Sequence, residues 1–331
     1  MYRVLCALLR KRYAVFVFYG AIALMYFALL GQHVLNNLSL PKLLIAPIMA
    51  FGSFVAGLTF LGGGSVAFPA MTKLMASSPE DAKTFSLAIQ SVGMSAASLY
   101  IITRVRDLPW SMMLLYVGSA SAGMAYALGS LADNISPVDL RIGFSLFLLC
   151  FLIIYLFTQE LNNKSIASKL EKTPKDILLT LSCGFAGGLV SGLLGSGADV
   201  IGFSLMALYF RIELKRATQV SVILMAATAI TGITMQAFLF KGVSEYVSQL
   251  WFVAAPVVLF GAPIGALFCR RIPRLWLLIF ICAIVGVELA TTLILLPIDP
   301  ARATFYAMAA LGFMLLLLGF QYLASRKHRI S

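Results

Sequence analysis

Two glycine clusters occupy matching places in the chain. Residues 52–75 read GSFVAGLTFLGGGSVAFPAMTKLM, and residues 184–210 read GFAGGLVSGLLGSGADVIGFSLMALYF. Each is an apolar helical run that stops at glycines and resumes as a shorter apolar run. The glycines are Gly62, Gly63 and Gly64 in the first copy, and Gly195 and Gly197 about Ser196 in the second. Amides freed at such a break, and the first turn of the half-helix after it, carry partial positive charge. Glycine, without a Cβ, lets a solute approach the main chain. Two breaks meeting at mid-membrane, with half-helices starting near Val66 and Val200, would hold an anion without a buried arginine. The competing reading is that these glycines only permit close helix packing.

Polar side chains near the breaks extend the same chemistry. Ser65 and Ser196 could donate to solute oxygens, or bond back to their own helices. Gln90, with Ser86 and Ser91, is matched in type by Gln219 and Ser221. These groups could complete a shell of donors or bridge helices. Asp199 directly follows the second break. It either couples proton movement to transport or caps the helix that begins there. Glu288 is the one acidic residue deep in an apolar run. Intramembrane carboxylates are costly and tied to function, so it is read as a proton relay or as a protonated group bonded to a neighbouring helix.

The bulk composition says what surrounds these residues. Of 331 residues, 61% are hydrophobic and 11% charged, and mean hydropathy is +0.95. Soluble domains carry about 25% charged residues, and several runs here exceed the ~18 apolar residues that cross a bilayer. The expected class is an all-α polytopic membrane protein with no separate soluble domain. The net charge of +12 comes from 25 Lys and Arg that lie between apolar runs and at both ends. It is read as contact with membrane lipid and not as nucleic-acid binding. Cys6, Cys150, Cys183, Cys269 and Cys282 share no close spacing and read as small packing residues. No metal, redox site or cofactor is expected. His33 and His328 are placed in a loop and in the C-terminal tail. The Gly195-Ser196-Gly197-Ala198 stretch therefore lacks the base that a serine nucleophile needs, no H-E-x-x-H is present, and the chain is expected not to be an enzyme.

Spans are expected at 14–30, 85–102, 110–130, 140–157, 217–239, 250–269, 275–296 and 303–322, with broken segments at 43–75 and 177–210. The run from Ala14 to Leu30 is longer than a signal peptide's apolar core and lacks its cleavage site, so it is read as a retained span. After the first break Ala82-Lys-Thr-Phe-Ser86 opens a helix; after the second, Ala217-Thr-Gln-Val-Ser221 does. The organisation is therefore 1–42 as a basic segment and first span, 43–157 as repeat 1, 158–176 as a polar linker, 177–297 as repeat 2, and 298–331 as a final span and basic tail. If each broken segment crosses once, with the N-terminus inside, 16 basic residues lie inside and 9 outside. If each goes in and returns to the same face, the division is 19 to 6. The positive-inside rule favours the second arrangement. Each half then holds an odd number of crossings, and the halves are inverted repeats. Both termini are cytoplasmic in a multi-pass inner (plasma) membrane protein.

The spacing G-x4-GGG-x4-P from Gly57 to Pro69, followed by Ala82 and Ser86 and by a second glycine-rich copy half a chain later, resembles the sulfite exporter TauE/SafE family of membrane permeases. The resemblance covers roughly residues 43–297. It implies a secondary carrier of small sulfur-containing anions, sulfite or organosulfonates, usually moved outward. The second copy departs from the pattern: it reads Gly195-Ser-Gly-Ala-Asp199, with Gly202-Phe203 where the first has Phe68-Pro69. The expected partners are a small anionic solute and membrane lipid, with a homodimer left open. The alternative is a non-transporting polytopic subunit that assembles or anchors a partner; long soluble loops would favour it, and the linkers here are short.

Overall fold

The computed structural model describes residues 14–36, 43–63, 66–67, 70–75, 77–105, 107–131, 136–159, 173–295 and 303–330. Every element among them is helical, as lipid requires of a chain that must satisfy its own backbone. Helix α1 is Ala14–Asn36 and α2 is Ile45–Leu58; a π-helical turn, Ala70–Leu74, then leads to α3, Pro79–Arg104. Helix α4, Trp110–Tyr126, is prolonged by a π-helical turn, Ala127–Leu131, and α5 is Pro137–Gln159. The remaining helices follow the linker. Helix α6 is Pro174–Leu194, and α7, Ala198–Ser204, runs on through a π-helical turn, Leu205–Tyr209. Then come α8 (Leu214–Phe238), α9 (Glu245–Arg271) and α10 (Arg274–Leu295), with α11 (Ala303–Ile330) last.

Among the described residues, eight helices are long and apolar enough to cross a membrane: α1, α3, α4 with its extension, α6, α8, α9, α10 and α11. The apolar stretches Ile45–Leu58, Ser145–Phe157 and Ala198–Tyr209 are shorter. Two of the starts are written in local sequence. Ser78 accepts from the Asp81 amide ahead of Pro79, and Thr173 and Asp176 form a reciprocal capping box around Pro174. One placement changes: His33 lies within α1 and not in a loop, and His328 lies within α11. Their side chains, and residues 160–172 of the polar linker, are outside the described residues.

Layering follows burial. The apolar windows of α3 and α8 are 72% and 61% buried, against 17% for α1 and α11. The first two form the centre and the last two the lipid-facing flank. Helix α2 packs most extensively on α9, and α6 on α4, so the helix before each break packs on a helix from the other side of the linker. Small residues make this close approach feasible. A Cβ on Gly57 would collide with the Ala262 carbonyl, and one on Gly188 with the Ala120 carbonyl. Gly265 lies against Phe54 and Leu58 just as Gly123 lies against Phe185 and Leu189.

Neighbouring residues also give direction. Tyr116, Ala120 and Met124 meet Gly184, Gly188 and Gly192 in turn, so α4 and α6 run parallel. Trp251 donates to the Ala88 carbonyl and Val258 faces Gly93, so α3 and α9 run parallel. Helices α3 and α8 run opposite ways: Leu87 meets Gly232, whereas Ser98 donates to the Val222 carbonyl at 3.4 Å.

Loop contacts gather at two ends. At one, Lys241 pairs with Glu80 at 3.6 Å, Ser244 donates to Asp81 at 2.7 Å and Ser77 donates to the Tyr246 hydroxyl. At the other, Arg216 pairs with Asp107 at 3.7 Å, Lys215 donates to the Arg270 carbonyl and Arg211 donates to Ser325. There too the Tyr209 hydroxyl, at the end of the second return arm, donates to Asp176 at the start of α6, 2.7 Å away.

Candidate anion site at the two chain breaks

The first break begins where α2 stops at Leu58. Thr59 leaves the helix in an extended conformation, its hydroxyl donating to Val55 and accepting from the Leu61 amide. Gly62 then turns with φ +69°, a region that disfavours residues bearing a Cβ. The Gly63 carbonyl accepts from the Val66 and Ala67 amides, which starts the return. Val66 comes back against Gly52 of α2. Gly64 and Ser65, two of the candidate solute contacts, lie outside the described residues.

The second break is described throughout. Helix α6 ends at Gly195, φ +79°, whose amide donates to the Ser191 carbonyl. Helix α7 starts at Ala198, two residues before Val200. The Gly197 amide donates to Asp199 Oδ1 at 2.9 Å, and the Ala198 amide donates to Ser191 Oγ at 2.8 Å. Asp199 therefore supplies the acceptor for one freed donor. It is 1% exposed, and its Oδ2 is buried with no hydrogen-bond partner. Such an orphaned oxygen is costly; a proton, a water or a donor on a solute would relieve it.

The two breaks meet. A Cβ on Gly62 would strike Asp199 Oδ2 and the Met225 methyl. Phe60 and Phe203 stack with centroids 3.9 Å apart, and Phe151 packs edge-on against both. Gln90 joins the pair from α3. Its side chain lies against Gly63, while its Nε2 donates to the Gly195 carbonyl at 2.9 Å; Ser86 Oγ donates to the same carbonyl at 3.1 Å. Gly62, Gly63, Gly195, Gly197, Gln90 and Asp199 thus belong to one buried cluster.

The other candidates divide. Ser196 is buried within the second break. Gln219 and Ser221 are buried on α8, and Ser221 bonds back to the Thr218 carbonyl of its own helix. Glu288 is buried on α10, whose extensive packing partner is α5 and neither broken segment.

Three contributors escaped the sequence. Lys83 is 6% exposed, with its backbone against Gly195; placed at the opening of α3, it reads in sequence as an interfacial charge. The Tyr116 hydroxyl donates to the Ala198 carbonyl at 2.6 Å from α4, and Phe203 stacks on Phe60. Neither aromatic carries a local signal, because aromatic residues occur along the whole chain.

Comparison with curated proteins and with solved structures finds no match. Against protein-family models, residues 44–289 match the model described as Sulfite exporter TauE/SafE. That match takes in both breaks, α2 to α9 and most of α10. The chain belongs to the sulfite exporter TauE/SafE family, a family of membrane permeases for sulfite-type anions.

Proposed function

We propose that this protein is a secondary transporter that moves a small sulfur oxyanion or sulfonate outward by alternating access around its two glycine breaks. The observation that carries the reading is the convergence of Gly62 on Asp199 with Gln90 touching both breaks. In the form described here the site is closed: Phe60 covers Phe203, and the freed amides are held by Ser191 and Asp199. An entering anion competes with the Asp199 carboxylate for the Gly197 amide, since like charges repel. Protonating Asp199 withdraws that competitor, which couples proton and anion in one site.

The two halves act as inverted repeats in this mechanism. The antiparallel run of α3 and α8, the reciprocal packing of α2 on α9 and α6 on α4, and the Tyr209–Asp176 closure all support it. The end carrying Arg211, Lys215, Arg216 and Arg270 is assigned to the cytoplasm by the positive-inside rule, and with it the two termini of an inner-membrane protein. Rocking one half against the other would open the breaks to alternate faces.

The test is counterflow in proteoliposomes with labelled sulfite, methanesulfonate, sulfate and chloride. Saturable flux of the sulfur anions, inhibited by one another, is expected. Flux no faster than in empty liposomes for all four would reject the transport reading.

A further inference from the structure

The two halves differ at one pair of positions beside the breaks. Gly123 faces the Phe185 carbonyl and Leu189 amide, and Gly265 faces the Phe54 carbonyl and Leu58 amide. These contacts fix the register between α4 and α9. Seven residues before Gly123 is Tyr116, and seven before Gly265 is Val258. Tyr116 fills its side of the molecule: its ring reaches Gly187 and Gly202, and its hydroxyl bonds Ala198. Val258 is too short to do the same. On its side a cavity remains, lined by Met49, Ser53, Ile89, Met94 and Val258, with Gly63 and Gln90 at the break. It is partly open to the exterior, and its walls leave room for about one water-sized group.

The geometry points to this cavity as a subsite for the uncharged substituent of the transported anion, with Val258 setting the length of substituent accepted. The inference rests on the transport reading above and adds a specificity determinant to it. The cavity touches Gly63 of the first break and Gln90, which bonds the Gly195 carbonyl of the second, so an anionic head at the breaks would direct a short tail into it. Apart from the Ser53 hydroxyl, which donates to the Ala50 carbonyl of its own helix, and the Gln90 amide at the break, its walls are thioether and aliphatic, which suits a short alkyl group and offers a second negative charge no cationic partner. Bare sulfite leaves the cavity empty or wet, whereas a short alkanesulfonate fills it.

The experiment compares flux of sulfite, methanesulfonate, ethanesulfonate and butanesulfonate through the full-length protein in proteoliposomes. The readout is each sulfonate's kcat/KM relative to that of sulfite. Apolar pockets discriminate one methylene by about 10-fold or more. Val258→Tyr should lower the ethanesulfonate-to-sulfite ratio by about that factor, and Val258→Ala should raise the butanesulfonate-to-sulfite ratio by a comparable one. If Val258→Tyr does not fold, Val258→Ala carries the test alone. Measurable sulfite flux with ratios unmoved in every folded variant overturns the subsite while leaving transport standing. Absence of all four fluxes through the unsubstituted protein overturns the transport reading, and the subsite with it.

Discussion

Phe60 and Phe203 lie face to face, their ring centroids 3.9 Å apart and their planes within 10°. Phe60 lies within the first break, two residues past the end of α2, and Phe203 follows the second on α7, so this stack joins the two broken segments. Both rings are buried. Aromatic pairs contribute roughly 0.5–1.5 kcal/mol beyond their area burial, a size that a conformational cycle can make and break. Phe203→Ala should therefore loosen the closed form. Faster access of a small thiol reagent to a cysteine placed at Ser196 is the expected readout; unchanged access would mean that the stack does not hold the site shut.

Gly62 and Gly195 turn at positive φ, and each faces another part of the site. Gly195→Val adds left-handed strain of order 1–3 kcal/mol and drives a side chain into the Lys83 carbonyl. Thermal unfolding in detergent should shift down by several degrees, and anion flux should vanish. Wild-type flux from a stable Gly195→Val protein would remove the break from the mechanism.

Asp199→Asn keeps an acceptor for the Gly197 amide and removes the charge beside Gly62. Lowering the pH protonates the wild-type carboxylate and removes its charge from beside the Gly197 amide, so anion flux should rise as pH falls. In Asp199→Asn the profile should be flat. Glu288→Gln should retain the wild-type pH dependence, because Glu288 is on α10, which packs extensively on α5 and not on either broken segment. The opposite pair of profiles would move the proton relay to α10.

Gln90→Leu removes the Nε2 donor from the Gly195 carbonyl and leaves Ser86 as its remaining side-chain partner. Because Ser86 still satisfies that carbonyl, the bond lost is worth about 0.5–1.5 kcal/mol. Flux should fall by about 2- to 10-fold while Gln90→Asn, shorter by one methylene, recovers little. Equal flux in all three proteins would place Gln90 outside the site.

Lys175 and Glu213 flank the second broken segment and are exposed. If the segment enters and leaves by one face, cysteines at both positions react with an impermeant maleimide from the cytoplasmic side. Reaction from opposite sides would mean a single crossing and dissolve the inverted arrangement.

The sequence alone determined the class, the breaks and seven of the eight unbroken spans; of the expected span 140–157 the apolar stretch is the shorter Ser145–Phe157. Length and hydropathy fix spans because an apolar run of that size has no stable place in water, and Gly62, Gly195 and Gly197 mark turns that side chains disfavour. The caps Ser78 and Thr173 are likewise local. Tertiary structure alone decided which faces meet. A membrane helix is apolar on its lipid side and on its packing side alike, so periodicity carries little record of the buried face. Nothing local says that Asp199 leans on Gly62, that Lys83 is enclosed beside Gly195, or that Tyr116 fills a space that Val258 leaves open. Those relations join residues a hundred or more positions apart in most cases, and they exist only once the two halves have closed on each other.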